Sequence, residues 1–170
     1  MILRKVKNED IPELSEFAVR TFYQAYGWYN TDENMKSYVA KYFSKENLFD
    51  EINDTETGFY ILTEDGKLKG YVKSGRQNNL DILNNYPHLE IERIYVDNSD
   101  QRNGIGKKML DFIIQKAKEK NIKYVWLGVW QKNEKAINFY KKNGFKIIGT
   151  TTFTLGDDDQ DDFIMALEII

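Results

Sequence analysis

The stretch 89–130 constrains the fold more than any other part of the chain. Residues 89–96 read as a strand. From residue 104 to about residue 120, Ile105, Met109, Ile113 and Ala117 form one apolar stripe, widened by Leu110 and Phe112, on a helix whose other side is lysine and acid. Residues 123–130 are a continuous, largely apolar run of strand formers, the pattern of a parallel strand covered on both faces. A strand, a helix and a strand in that order make a right-handed crossover. The fold class this predicts is α/β. Between the first strand and the helix lies Gln101-Arg102-Asn103-Gly104-Ile105-Gly106-Lys107. Two glycines let the backbone come close to a ligand, and the unpaired N–H groups and positive dipole at a helix start attract phosphate. The expectation is a phosphorylated cofactor.

The rest of the chain supplies a core and narrows the function classes. A length of 170 residues buries roughly 70% of the unfolded surface. A content of 41% hydrophobic and 14% aromatic residues provides the core material and argues against disorder. One domain over residues 1–170 is expected. Cysteine is absent, which excludes disulfides, thiolate zinc ligands and a thiol nucleophile, and no metal site is expected. Met1-Ile2-Leu3-Arg4-Lys5 is broken by a charge pair and does not read as a secretion signal. No run approaches the length of a membrane span, so no membrane association is expected and the expected location is the cytoplasm. The net charge is −3, yet residues 157–162 carry five carboxylates in six positions. Such a field repels nucleic acid. It is either a solvated turn or a collar that attracts cationic substrates.

Other elements follow from pattern. Residues 1–6 read as a short strand. Asp10 and Glu13 form a capping pair for a helix with Pro12 in its first turn, carrying Ile11, Leu14, Ala18, Phe22 and Ala25 at helical spacing and ending at Gly27. The aromatic linker Tyr26-Gly27-Trp28-Tyr29-Asn30 leads to a second helix from Thr31, with Met35, Tyr38, Val39 and Tyr42 on one side. Residues 58–63 and 68–73 pair through an Asp65-Gly66 turn. A polar loop spans 74–88, a short helix spans 134–142 and stops at Asn143-Gly144, and strands are expected at 145–152 and 162–168. In residues 89–96 the alternation is imperfect, since Glu90 and Glu92 would share a face with Ile94 and Val96. Either those acids reach a cleft or a bulge reorients the strand.

The glycine loop can be tested against familiar nucleotide motifs. A Rossmann fingerprint would need glycine where Met109 stands, and a P-loop would need glycine at Gln101 and Ser or Thr at Lys108. Both fail. The spacing that fits is Gln-x-x-Gly-x-Gly running directly into the helix, although glycine pairs at helix starts also serve plain turns. At this loop the chain resembles the GNAT superfamily of acetyl-coenzyme A-dependent N-acetyltransferases. Asn133-Glu134-Lys135-Ala136-Ile137-Asn138-Phe139-Tyr140-Lys141-Lys142-Asn143-Gly144-Phe145 is similar to the superfamily's second signature. Glu92-Arg93-Ile94-Tyr95-Val96, Trp126-Leu127-Gly128-Val129-Trp130 and Leu155-Gly156-Asp157 with Gln160 resemble the bacterial PaiA type, which acetylates spermidine and spermine. Arg102 departs from the wider pattern, in which glycine is commoner.

The resemblance implies a mixed sheet of about six to seven strands with about four helices, and a splayed, bulged strand at an acetyl-coenzyme A cleft. It implies that the backbone of Ile94, Tyr95 and Val96 aligns the pantetheine arm, that Gln101, Arg102, Asn103, Gly104, Ile105, Gly106 and Lys107 hold the pyrophosphate, and that Asn133 bonds the pantetheine. Lys142 reaches a phosphate or the adenine, or is simply a surface lysine. An alkylammonium has a pKa of about 10.4 by analogy with lysine, so a base must take its proton, usually through water. By resemblance that base is Glu92, with Glu90 in reserve; read without the family, Glu92 is a strand carboxylate paired with Arg93 or Lys73. Tyr140 is the implied acid for the thiolate, where a plain reading gives a packing residue. Trp28 and Asp157, with Glu90, are expected on the acceptor side, where an aromatic wall suits an aliphatic polycation. Trp126 and Trp130 are expected in or beside the sheet, and His88 as a loop residue rather than a catalyst. The implied activity is polyamine N-acetylation. The alternatives are another small amine or a protein amino group as acceptor, or a non-catalytic acyl-coenzyme A-binding regulator. Nucleic acid is not an expected partner, and exposed strands could support a homodimer.

Overall fold

A computed structural model describes residues 1–75 and 80–169. Strands β1 (Ile2–Lys5), β2 (Gly58–Glu64), β3 (Lys67–Gly75), β4 (His88–Val96), β5 (Tyr124–Trp130), β6 (Lys146–Leu155) and β7 (Asp158–Glu168) form one sheet in the order β1-β2-β3-β4-β5-β7-β6. β4 and β5 are parallel and every other neighbouring pair is antiparallel. The parallel pair is the one joined through the amphipathic helix, because parallel neighbours need a long crossover. Among the described residues the α-helices are α1 (Ile11–Tyr26), α2 (Asp32–Tyr42), α3 (Lys45–Asn53), α4 (Ile105–Glu119) and α5 (Glu134–Lys142).

The helices cover both faces of the sheet. α1, α2 and α3 bring Leu14, Phe17, Phe22, Met35, Leu48 and Ile52 onto Phe59, Ile61 and Tyr71. On the opposite face, α4 and α5 bring Ile105, Met109, Leu110, Ile113 and Ile137 onto Val72, Ile91, Val125, Leu127, Val129 and Met165. Leu14, Met109, Leu110 and Ile113 are fully buried, and each such side chain contributes about 1.5–3 kcal/mol. Along β5, odd positions therefore face α4 while Trp126, Gly128 and Trp130 face the α1 side.

Four expectations change in detail. There are five α-helices among the described residues, not about four: α3 has only Leu48 and Ile52 buried, too few for a clear period, and its start is a Ser44 hydroxyl accepting from the Asn47 N–H at 3.2 Å. Asp10 does not cap α1, because Arg4 holds both its oxygens at 2.7 Å and its Oδ2 also accepts from the Lys7 N–H at 2.8 Å. Of the polar loop, Ser74 and Gly75 belong to β3, Asp81–Leu83 is a 3-10 turn with Leu83 buried, and residues 76–79 lie outside the described residues. His88 is not in a loop. It opens β4, is buried, and accepts the Trp126 indole N–H at Nδ1, 3.1 Å away.

Candidate active site

The site begins where two strands part. β4 and β5 pair only at His88–Tyr124, Leu89–Val125 and Glu90–Trp126, after which β4 continues to Val96 and β5 to Trp130 without pairing. β4 stays attached to β3 up to the Val96–Gly70 pair. A V-shaped cleft opens between the strands, and peptide groups on the β5 side of Ile94, Tyr95 and Val96 lose their ladder partners, which makes them available to an extended ligand. The register slips between Lys73–Arg93 and Ser74–Ile91, so Glu92 is the extra residue of a β-bulge. This resolves the broken alternation: Ile91, Ile94 and Val96 all pack toward α4, while Arg93 lies over Phe43 on the α1 side at 5.1 Å.

The mouth of the cleft is the start of α4. Lys108 N–H donates to Gly104 C=O at 3.0 Å, so the N–H groups of Ile105, Gly106 and Lys107 precede the helical ladder. Gly104 has φ +78 and Arg102 φ +69, and this left-handed pair turns the chain into the helix. Gly106 is different. A Cβ there would meet nothing closer than Phe139 Cζ at 3.6 Å, an ordinary contact, and its φ is not positive. Neither backbone nor packing requires glycine at 106, so its effect is to keep space open beside three free amides. Unpaired amides at a helix start attract anions. Gln101 Nε2 donates to Asn98 Oδ1 at 2.8 Å, and the Lys107 ammonium pairs with Asp111 along the helix. Asn103 is exposed at the loop tip. Asn133 uses its amide oxygen to cap α5 at Ala136 N–H, 3.1 Å, which leaves the NH2 end uncommitted by the cap. Lys142 is exposed in the last turn of α5.

Tyr140 lies in α5, 7% exposed, against Phe139 and Phe145. Burial, with Tyr26 within electrostatic reach, pushes its phenol well above the ordinary tyrosine range. Tyr26 and Tyr95 are likewise raised, chiefly by burial, and the proximity of Tyr26 adds to the rise at Tyr95. All three phenols are therefore neutral. Such groups hold their protons at any cellular pH and can donate them.

Glu92 belongs to a four-charge network. Its Oε2 is 2.6 Å from Lys73 Nζ, which also reaches Glu51 Oε1 at 2.9 Å, and Glu51 takes a bidentate Arg93 at 2.7 and 3.0 Å. Burial opposes ionisation of Glu51, but Arg93 and Lys73 outweigh it and hold the carboxyl below the ordinary range. Gly75 makes room for Glu92, since a Cβ there would stand 1.5 Å from its Oε1. Glu90 pairs along the sheet with Gly75 and Trp126.

On the α1 side the aromatic linker splits. Trp28 is 93% exposed, whereas Tyr29 packs edge-on against Trp130 at 4.8 Å and Tyr26 lies 6.1 Å from the same ring. Asp157 sits in the β6–β7 turn and accepts from Asn34 Nδ2 at 2.7 Å. The acidic run is mostly strand: Asp158, Asp159, Asp161 and Asp162 belong to β7, with Gln160 buried among them. Sequence reading missed Glu51, Tyr26, Gln160 and Asp162 as site residues. The first lies on the unforeseen α3, and the last two lie on a strand predicted to begin at 162, which hid their shared face.

A strand pair parting beside a glycine-opened helix start is the frame of an acyl-coenzyme A site. Residues 11–145 match the model of the acetyltransferase (GNAT) family, and the chain belongs to that family. It is 34% identical to an uncharacterized N-acetyltransferase of Lactobacillus delbrueckii subsp. lactis over 98% of this chain and 96% of that one. It is 30% identical to the spermidine N(1)-acetyltransferase of Thermoplasma acidophilum over 96% and 94% of the two chains. The crystal structure of the PaiA N-acetyltransferase from Thermoplasma acidophilum in complex with coenzyme A superposes with TM-score 0.82 at 27% identity, covering 98% of each chain. Among the described residues no helix is long and apolar enough to cross a membrane.

Proposed function

We propose that the chain transfers an acetyl group from acetyl-coenzyme A to a primary amine of a polyamine such as spermidine or spermine. The observation that carries this reading is the cleft between β4 and β5, with the free amides of Ile105, Gly106 and Lys107 at one end and Tyr140 beside it. The relative named as a spermidine acetyltransferase supports the acceptor class. Acetyl-coenzyme A, when bound, supplies an activated thioester. The unpaired backbone of Ile94, Tyr95 and Val96 orients the pantetheine as an added strand would be oriented and polarises the acetyl carbonyl. Residues 101–107 hold the pyrophosphate, Asn133 donates to the pantetheine from its NH2 end, and Lys142 meets the adenosine phosphate.

Glu92 takes the ammonium proton through water, with Lys73 holding the carboxylate in place, and Glu90 lies one bulge away as its neighbour. The amine lone pair forms the new N–C bond, the C–S bond breaks, the Tyr140 phenol protonates the thiolate, and the proton lost from the acylated nitrogen returns through water to the phenol. Trp28 and Asp157, at the edge of the acceptor side, meet the far end of a long polyamine. The test is release of free thiol from acetyl-coenzyme A in the presence of spermidine, spermine, monoamines and peptides. Release with the polyamines at the highest kcat/KM is expected. Release with another amine alone would overturn the polyamine acceptor, and no release with any amine would overturn catalysis.

A further inference from the structure

Among the described residues, two buried acceptor atoms on one strand have no partner. Gln160, 5% exposed, donates through Nε2 to Asn30 Oδ1 at 2.8 Å and Asp158 Oδ2 at 2.7 Å. Because both partners are acceptors, the amide orientation is fixed and Oε1 is the atom left over. Gln160 Oε1 and Asp162 Oδ1 are both buried and unpartnered among the described residues. A buried polar atom without a partner costs about 1–3 kcal/mol, so two of them on one strand call for a ligand.

Their placement says where it sits. Gln160 and Asp162 are two apart on β7 and share a face, the one opposite Phe163 and Met165, which pack toward α4. Asp162 is the cross-strand partner of Trp130, whose ring carries Tyr26 and Tyr29. Beside it, Gly128 is exposed between two buried tryptophans, and a Cβ there would lie 3.4 Å from Asp162 Oδ2. The missing side chain leaves a notch against the carboxylate. Gln160 also ties Asn30 of the α1–α2 linker over the same face.

We propose that Asp162, Gln160 and the Gly128 notch form a subsite for an alkylammonium group of the acceptor. Two carbonyl-type oxygens supply what an ammonium donates to, the carboxylate supplies the charge, and Trp130 and Tyr29 flank the methylenes. The subsite deepens the amine-acetyltransferase reading and rests on it for the acceptor's class. Burial and neighbouring Asp161 raise the Asp162 carboxyl to about 6, so it is charged at neutral pH and neutral below. The titratable groups around the subsite are Asp161 and Asp158 on the same strand, Tyr26 from α1, and Tyr29 and Lys132, which both lie against the Trp130 ring. Trp130 and Gly128 of β5 and Thr151 of β6, its strand neighbours, carry no charge.

The experiment is calorimetric titration of the coenzyme A-saturated protein with spermidine and with n-butylammonium, at pH 7.5 and pH 5. Asp162→Asn should weaken binding of both about tenfold at pH 7.5 and change it less than twofold at pH 5. Gly128→Leu, which fills the notch at an exposed strand position and leaves the charge intact, should weaken spermidine at both pH values. Equal affinities in wild type and Asp162→Asn at pH 7.5, or no binding of either amine to the wild type, would overturn the subsite; should Asp162→Asn fail to fold, unchanged affinity in Gly128→Leu does so. Asp162-dependent binding without thiol release would leave the subsite standing and remove the catalytic reading. Thiol release from spermidine that Asp162→Asn does not alter would do the reverse.

Discussion

Gly106 separates what a residue does for the fold from what it does for a ligand. Gly104 is required by its positive φ, but Gly106 has an ordinary helical backbone and space for a methyl group. Gly106→Ala should therefore leave thermal stability unchanged or slightly higher, within about 1 kcal/mol by helix propensity, while weakening coenzyme A roughly tenfold. Calorimetry and thermal melts on the same preparation check both halves, and unchanged coenzyme A affinity would remove the pyrophosphate assignment. The sequence marked this loop by spacing, because backbone demands of this kind depend on local residue identity. It marked Asp162 only as one acid among five. Which of those carboxylates has a buried oxygen depends on strand register and on a glycine 34 positions earlier on another strand.

Among the elements, α3 has the largest effect for its size. It is nine residues long and buries two side chains, yet its Glu51 neutralises both Arg93 and Lys73 beneath the bulge of β4. Removing one member of a buried ion network leaves uncompensated charge and costs about 3–5 kcal/mol. Glu51→Ala should lose at least about 3 kcal/mol in urea unfolding at pH 7. Because the Glu51 carboxyl is held below its ordinary range, its contribution is present at neutral pH and is lost as pH falls through the folded-state value, so the difference between wild type and variant should shrink in acid. A loss under 1 kcal/mol would show that the network is incidental. The strands and α4 were legible because their periods run over many residues. α3 was not, since a short helix with a weak stripe is specified by what it docks against.

At the scale of the whole molecule, the cleft is a consequence of a sheet that cannot stay paired. β4 leaves β5 after Glu90 while its other edge remains bonded to β3, and β5 remains bonded to β7 along its whole length. The open edge should be the part of the sheet that responds to ligand. On adding coenzyme A, the amides of residues 91–96 should gain at least about tenfold protection from hydrogen exchange, with the β6–β7 hairpin unchanged. Equal protection with and without coenzyme A at 91–96 would place the coenzyme elsewhere. The sequence by itself determined the α/β class, the crossover unit, the glycine loop and the family signatures, because these rest on local periods and fixed spacings. Only the tertiary structure decided that Glu92 bulges toward Lys73, that Tyr26, Tyr95 and Tyr140 are all buried phenols, and that Gln160 and Asp162 face one notch. Those facts arise where register, burial and distant charges meet, and no window along the chain contains all the partners.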